Sequence, residues 1–338
     1  MTKVAIVILN FNGKHFLQQF LPSVIGYSAD AKIVVADNGS TDGSSDFVKK
    51  EFINVEVISL SENKGFCGGY NEALKQVKAK YYVLVNSDIE VTLGWLSPII
   101  ELMERDQSIA AAQPKILAQK EKNRFEYAGA AGGKIDMLAY PFCRGRLFDS
   151  IEEDKGQYND VVEIFWASGA CMFVRAELYH EMGGLDEDFF AHMEEIDLCW
   201  KLSRAGYKIF YNGESTVYHV GGGTLSSSNP RKTYFNFRNG LSLLIKHQRL
   251  SSLIWKFPLR LLLDWAAAFH FLIIGSGIHA KAVIVAHLSF IRRFGHEMKK
   301  RALTARQIRN FKTANVYNGL IVVDYFMGRK KSYKDLIP

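Results

Sequence analysis

Apolar residues in the first third of the chain fall into short solid runs, separated by stretches with helical spacing. "VAIVILN" (4–10), "KIVVADN" (32–38), "VEVISL" (55–60) and "YYVLVNSD" (81–88) read as buried strands. Residues 14–26, 42–52, 69–79 and 93–105 read as helices, with good N-cap residues in "STDGSSDFV". Strands and helices alternating over such short connections predict a parallel, right-handed α/β sheet. Residues 118–160 have weak periodicity and many glycines and charges, which predicts a variable loop region. Regular patterning returns at "IFWASGACMFVR" (164–175), followed by a helix that Gly206 ends and two short strands, "KIFYN" and "TVYHV".

Charge divides the chain more sharply than hydropathy does. The net charge of +7 conceals an acidic segment, 1–230, with 22 Lys/Arg against 31 Asp/Glu. Segment 231–338 is strongly basic, with 20 against 4. This places a domain boundary at residue 230. The apolar stretch "WAAAFHFLIIGSGI" (265–278) is too short for a membrane span. With "IRRF" and "KKRALTARQIRNFK" nearby, it predicts helices lying on an anionic membrane surface. The competing expectation is an ordinary helical subdomain packed on the first domain. Nucleic-acid binding is not expected, because the basic residues are interleaved with aliphatic ones and no RNA-binding motif is present. Four scattered cysteines without a CxxC pair argue against zinc or a disulfide framework and fit a reducing compartment. The N-terminal run reads as a first strand, not a signal peptide.

The candidate chemistry collects where strands end. Asn10 and Asn12, Asp37 and Asn38, and Asn86 to Asp88 all follow apolar runs, and open α/β sheets bind ligands at the carboxyl ends of their strands. Asp37 and Asp88 are acids at strand tips, and Asp88 could hold a divalent cation through oxygen, although Asn-Ser-Asp is also common turn chemistry. "GFCGGYNEAL" (65–74) lacks the G-x-G-x-x-G spacing, so it is either a loop approaching a ligand or a plain helix entry. In "FFAHMEEIDLCW" (189–200), Glu194, Glu195 and Asp197 stand among aromatic residues. Acids do favour the first turn of a helix. Apolar walls and neighbouring acids also raise a carboxyl pKa, which prepares a general base. His219 ends the last strand beside three glycines, a better position for a ligand than most.

Taken in order, "VAIVILNFNG", "VVADNGSTDGS", "ENKGFCGGYNEAL", "VLVNSD", the segment from Trp166 through "EEIDLCWKLSRAGYKI", and "VYHVGGGT" resemble the motifs of family 2 glycosyltransferases of the GT-A fold, in their rhamnosyltransferase-like branch. The resemblance covers roughly residues 1–225 and implies a Rossmann-like mixed sheet with flanking helices. It implies that Asn10, Asn12, Asp37 and Asn38 contact the base and ribose of a nucleotide-sugar donor, and that Asn63, Gly65, Asn71 and Ser87 line its pocket. Asp88 and His219 would hold Mg²⁺ or Mn²⁺, Glu195 would be the catalytic base with Glu194 and Asp197 beside it, and Trp166 and Gly169 would flank the acceptor. The spacing of 24 residues between Glu195 and His219 matches the family pattern. Two positions depart from it: Asn86-Ser87-Asp88 offers one certain metal carboxylate where many relatives have two, and Glu194-Glu195 replaces a common Glu-Asp. The implied activity is inverting transfer of a sugar, rhamnose by branch, to a lipid-linked or oligosaccharide acceptor for surface polysaccharide. The enzyme would be cytoplasmic, held peripherally at the inner membrane face. The alternatives are a polyprenyl-phosphate glycosyltransferase and a non-catalytic sugar-nucleotide-binding protein.

Overall fold

The computed structural model describes residues 2–221 and 229–337. The chain begins as expected, with β1 (Thr2–Asn10), α1 (Lys14–Gly26), β2 (Lys32–Asp37), α2 (Ser44–Glu51), β3 (Glu56–Ser59), α3 (Gly65–Leu74) and β4 (Ala79–Asn86). A tight turn leads to β5 (Ile89–Val91), α4 (Ser97–Arg105) and the buried β6 (Ile109–Ala118). Four short strands follow, β7 (Gly133–Asp136), β8 (Pro141–Cys143), β9 (Arg146–Leu147) and β10 (Ser150–Ile151), and then β11 (Val161–Ile164) and β12 (Cys171–Arg175). The remainder comprises α5 (Ala176–Glu181), α6 (Glu194–Arg204), β13 (Lys208–His219), α7 (Pro230–His247), α8 (Leu250–Ile273), α9 (Gly277–Gln307), β14 (Val316–Tyr317) and α10 (Ile321–Phe326).

The main sheet runs β11-β13-β6-β12-β4-β1-β2-β3, with β5 added to β13. Its β3-β2-β1-β4 half is parallel, whereas β12 lies antiparallel between β4 and β6, so the sheet is mixed. Both faces are covered. Helices α1 and α4 close one apolar layer around Ile6, Val35 and Trp95, and α3, α6 and α7 close the other around Tyr70, Trp200 and Leu244. Each fully buried Leu or Phe of this kind contributes about 1.5–3 kcal/mol.

Four features differ from the sequence expectation. The glycine-rich segment 65–74 is itself helix α3, because its small residues permit close approach. A Cβ on Gly69 would stand 2.8 Å from Leu9 and 2.9 Å from the Asn38 amide. Residues 118–160 are not loop throughout, since β7 to β10 join β14 in a second, five-stranded sheet. These strands are two to four residues long, too short to print an alternating pattern. "KIFYN" and "TVYHV" form one strand, β13, whose pairing with β6 slips between Asn212 and Thr216.

The fourth difference concerns the basic segment. Helix α7 is part of the main core, with Leu241, Leu243 and Leu244 fully buried. Helices α8 and α9 form a hairpin turned at Gly275. It is tied down by Arg260, which donates to the Leu138 carbonyl at 2.9 Å, and by Tyr140, between β7 and β8, which donates to Asp264 at 2.7 Å. Among the described residues no helix is long and apolar enough to cross a membrane.

Candidate active site

The tips of β1, β2 and β3 are knitted by short polar side chains. Asn10 donates to Asp37 (3.2 Å), Ser40 (3.2 Å) and Ser44 (2.9 Å), and its buried Oδ1 has no partner among the described residues. Asn12, at φ 51°, accepts from the Thr41 N–H at 2.8 Å. Asn38 donates to Asn63 Oδ1 (3.1 Å) and to the Gly65 carbonyl (2.9 Å). Gly13 must stay small here, since a Cβ would meet Asn10 Oδ1 at 2.5 Å and Ser87 Oγ at 3.2 Å. The structure thus gathers Asn10, Asn12, Asp37, Asn38, Asn63, Gly65 and Ser87 along one edge, as their places at strand ends require.

Asp88 sits in the turn after β4, and β5 pairs with the end of β13 so that Ile89 faces His219. This pairing brings Asp88 Oδ1 to 3.2 Å from His219 Nε2. On the other side of the ring, Nδ1 lies 3.2 Å from Glu126 Oε2. Burial alone would push the Asp88 carboxyl up and the His219 imidazole down. Their mutual hydrogen bond and opposite charges outweigh it, holding Asp88 below its ordinary value and raising His219, with help from Glu126, to about 10. Sequence reasoning missed Glu126, which lies in the stretch of weak periodicity with no motif to mark it.

These residues fit a divalent cation. Asp88 offers an oxygen and His219 an imidazole nitrogen, while Glu126 stands where a second carboxylate orients a metal-bound histidine. Among the described residues no cluster of three or more ligating side chains exists. A cation held here would therefore complete its shell with water and substrate oxygens. Gly222, Gly223 and Thr224 of the adjoining motif lie outside the described residues.

The carboxylate pair lies at the start of α6. Glu194 is closed off, only 5 % exposed, whereas Glu195 is half-buried and so partly open. Gly169 borders it: a Cβ there would sit 3.2 Å from the Phe66 ring and 3.8 Å from the Glu195 Cβ. One oxygen of each Glu is buried without a hydrogen-bond partner among the described residues. Burial raises both carboxyls, Glu195 to about 7, and the neighbouring charge of Glu195 lifts Glu194 further.

Three predicted site residues do other work. Asp197 is fully buried away from the cleft, 2.8 Å from both Lys246 Nζ and His247 Nε2 and 3.3 Å from Lys201 Nζ. The two lysine charges and the hydrogen bond from His247 overcome its burial and hold it well below the carboxylate range, so it anchors α6 instead of assisting Glu195. Burial pushes His247 down to about 4, which keeps it neutral. Asn71 spends its amide on the 183–187 turn. It accepts from Tyr179 Oη (2.7 Å) and the Leu185 N–H (3.0 Å), and it donates to the Leu185 carbonyl (2.8 Å) and Glu187 (3.0 Å). Trp166 is buried, and its indole N–H donates to the Lys134 carbonyl at 2.9 Å, bracing the second sheet beside the strand that leads to Gly169.

A mixed sheet with polar strand tips, an Asp–His pair and a half-buried glutamate with a raised carboxyl defines a glycosyltransferase of the GT-A class. The chain belongs to glycosyl transferase family 2, whose sequence profile matches residues 5–183. It is 22 % identical over 282 residues to the N-acetylglucosaminyl-diphospho-decaprenol L-rhamnosyltransferase of Mycobacterium tuberculosis strain CDC 1551 / Oshkosh, covering 75 % of this chain and 87 % of that one. It is also 22 % identical over 213 residues to the rhamnosyltransferase WbbL of Escherichia coli K12, covering 62 % and 80 %. Among solved structures, it resembles GalNAc-T7 with UDP, GalNAc and Mn²⁺ (TM-score 0.56, 16 % identity, 73 % of this chain and 48 % of that one). It also resembles the Pyrobaculum calidifontis mannosyltransferase PcManGT with GDP-Man and Mn²⁺ (TM-score 0.53, 12 % identity, 86 % and 87 %). At these identities the structural likeness speaks for the fold.

Proposed function

We propose that this enzyme transfers a sugar, with inversion, from a nucleotide-diphosphate donor to a hydroxyl of a lipid-linked or oligosaccharide acceptor in cell-envelope polysaccharide synthesis. The observation that carries the reading is the half-buried Glu195 beside Gly169 at the start of α6, whose carboxyl is raised by burial and has one oxygen without a partner among the described residues. The names of the curated relatives support rhamnose as the sugar.

Asn10, Asp37 and Asn38 receive the base and ribose at the strand tips. Glu195, as carboxylate, removes the acceptor hydroxyl's proton as that oxygen bonds to the anomeric carbon, while the bond from that carbon to the diphosphate breaks on the opposite face. Attack opposite the leaving group inverts the centre, and a base with a pKa near the working pH accelerates such a step by about 10²–10⁴-fold. Asp88 and His219 would hold a divalent cation, which when bound would neutralise charge on the departing diphosphate. The Glu126 carboxylate, 3.2 Å from Nδ1, would favour the charge on the His219 ring.

The helical hairpin supplies the membrane contact. Trp255, Leu262, Trp265, Phe269 and Ile273 form an exposed apolar stripe along α8, which Ile284, Leu288 and Ile291 continue on α9. Lys281, Arg292, Lys299 and Arg306 are exposed on α9, whereas the two acids of the hairpin, Asp264 and Glu297, are buried. An apolar stripe with a purely basic margin matches an anionic bilayer surface. A thermal-shift screen against nucleotide sugars with Mn²⁺ tests the enzymatic reading, since a bound donor stabilises the fold by mass action. Stabilisation by one nucleotide-sugar class supports it, and no response across the panel sinks it.

A further inference from the structure

The segment before Glu194 is an unusual piece of backbone. Phe190, His192 and Met193 have φ of 64°, 67° and 76°, a region side chains other than glycine rarely adopt. No side chain caps α6, whose N-cap position is Met193. Such a turn persists only where its surroundings determine it, and here they lie far away in sequence. Asn239, 1 % exposed on α7, donates its amide to the carbonyls of Phe189 (3.2 Å), Ala191 (3.0 Å) and His192 (2.7 Å). Arg238 donates to the carbonyls of Asp188 (2.8 Å) and Phe189 (3.0 Å). Its Nε also donates to Asn239 Oδ1 at 2.7 Å, fixing the amide so that its nitrogen faces the turn. The one carbonyl left in this run, that of Phe190, accepts from the Phe66 N–H at 3.2 Å.

We infer that Asn239, oriented by Arg238, is a positioning residue for the reaction: it fixes the 188–193 backbone and so sets where the Glu195 carboxyl stands. This rests on Glu195 being the base. The amide is suited to the task because it supplies two N–H donors without charge. A carboxylate there would face three carbonyl oxygens with no donor, and a cation would add charge beside Glu194 and Glu195.

The test compares wild type with Asn239→Asp, Asn239→Ser, Glu195→Gln and the Asn239→Asp/Glu195→Gln double variant in the full-length enzyme. Amide hydrogen exchange over 188–197 should speed up in both Asn239 variants, with Asn239→Ser, which keeps one donor, the milder. Turnover should fall about tenfold or more in Asn239→Asp, because small misplacement of a catalytic group is costly. Donor affinity should stay within about twofold, since the strand tips are untouched. In the Glu195→Gln background the Asn239→Asp change should cost almost nothing more, as for two residues acting through one step. Unchanged exchange, or an equal loss of turnover in both backgrounds, would overturn the inference. If Glu195→Gln alone keeps full turnover while exchange still speeds up, the clamp on the turn stands and the assignment of the base falls.

Discussion

At the strand tips, Asn10, Asp37, Asn38 and Asn63 belong to successive strand–loop units, and their hydrogen bonds, spanning 25 to 27 residues, join the loops after β1, β2 and β3. At the carboxylate end, residues 186–197 are held by side chains from helices that come later in the chain. Asp186 is bound by Lys246 at 2.8 Å and by Lys300, and Asp188 by Arg293 at 2.7 Å and by His296 and Lys300. Asp197 is bound by Lys246 and His247. One end is built from adjacent strand–helix units and the other by helices that come far later in the chain. The opposite charges of segments 1–230 and 231–338 meet at this second end. Part of the charge split that marks a domain boundary in the sequence is therefore an internal seam.

If this contrast is right, the two ends should fail differently. The largest effect is expected from Asp197→Asn, which leaves Lys246 and Lys201 facing a neutral group in a site closed to water. Breaking a buried pair from one side costs about 3–5 kcal/mol, so denaturant unfolding should show a loss of that size. The depressed carboxyl of Asp197 contributes stability above its ordinary value near 3.8, and that contribution disappears as pH falls through the lower folded value. The variant should therefore be less sensitive to acid than wild type.

Next in size, Asp88→Ala should leave the fold intact and uncouple metal from donor. Calorimetry of the donor diphosphate with and without Mn²⁺ should show cooperative binding in wild type, with a coupling factor of about 5–150-fold, reciprocal by linkage. Equal affinities in both titrations would mean a metal-independent enzyme. Since His219 must lose its proton to bind metal and is held at about 10 in the free protein, metal affinity should climb with pH across the neutral range.

Smaller again, Trp265→Ser with Phe269→Ser removes two large side chains from the exposed stripe without touching the Arg260–Asp264 anchor. Partitioning onto anionic vesicles should weaken about tenfold, with turnover on a soluble acceptor unchanged. The smallest effect is expected from Glu194→Gln. The raised Glu194 carboxyl contributes stability below its ordinary value near 4.5, and this is lost as pH rises through the folded value. The variant should melt about 2–4 °C above wild type at alkaline pH, with the gap closing in acid.

The contrast also explains what could be read from the sequence. The first four strands were legible, as were the gathering of the strand-tip residues along one edge, the place of Asp88 and His219 at the ends of their strands and that of Glu195 at the head of a helix, because each sits in a short motif bound to one strand or helix end. Glu126, Arg238 and Asn239 were not, since their partners are set by how β13 meets β5 and by how α7 packs on the 188–193 turn. Asn71 and Asp197 were legible as important positions but not as to task. A buried amide or carboxylate looks the same in sequence whether it meets a ligand or its own fold. Residues 231–338 do not behave as one unit. Helix α7 belongs to the core, and the α8–α9 hairpin carries the exposed apolar stripe.

The central claim is that Glu195 accepts the acceptor's proton, and the pH dependence of turnover in wild type and Glu195→Gln tests it most directly. Burial raises the Glu195 carboxyl to about 7, so wild-type turnover should rise with pH through that region as the carboxylate forms. Glu195→Gln should lose about 10²-fold or more and lack that rise, while binding donor as wild type does. A Gln variant that retains near-wild-type turnover with the same pH profile would contradict the account and move the base elsewhere in the cleft.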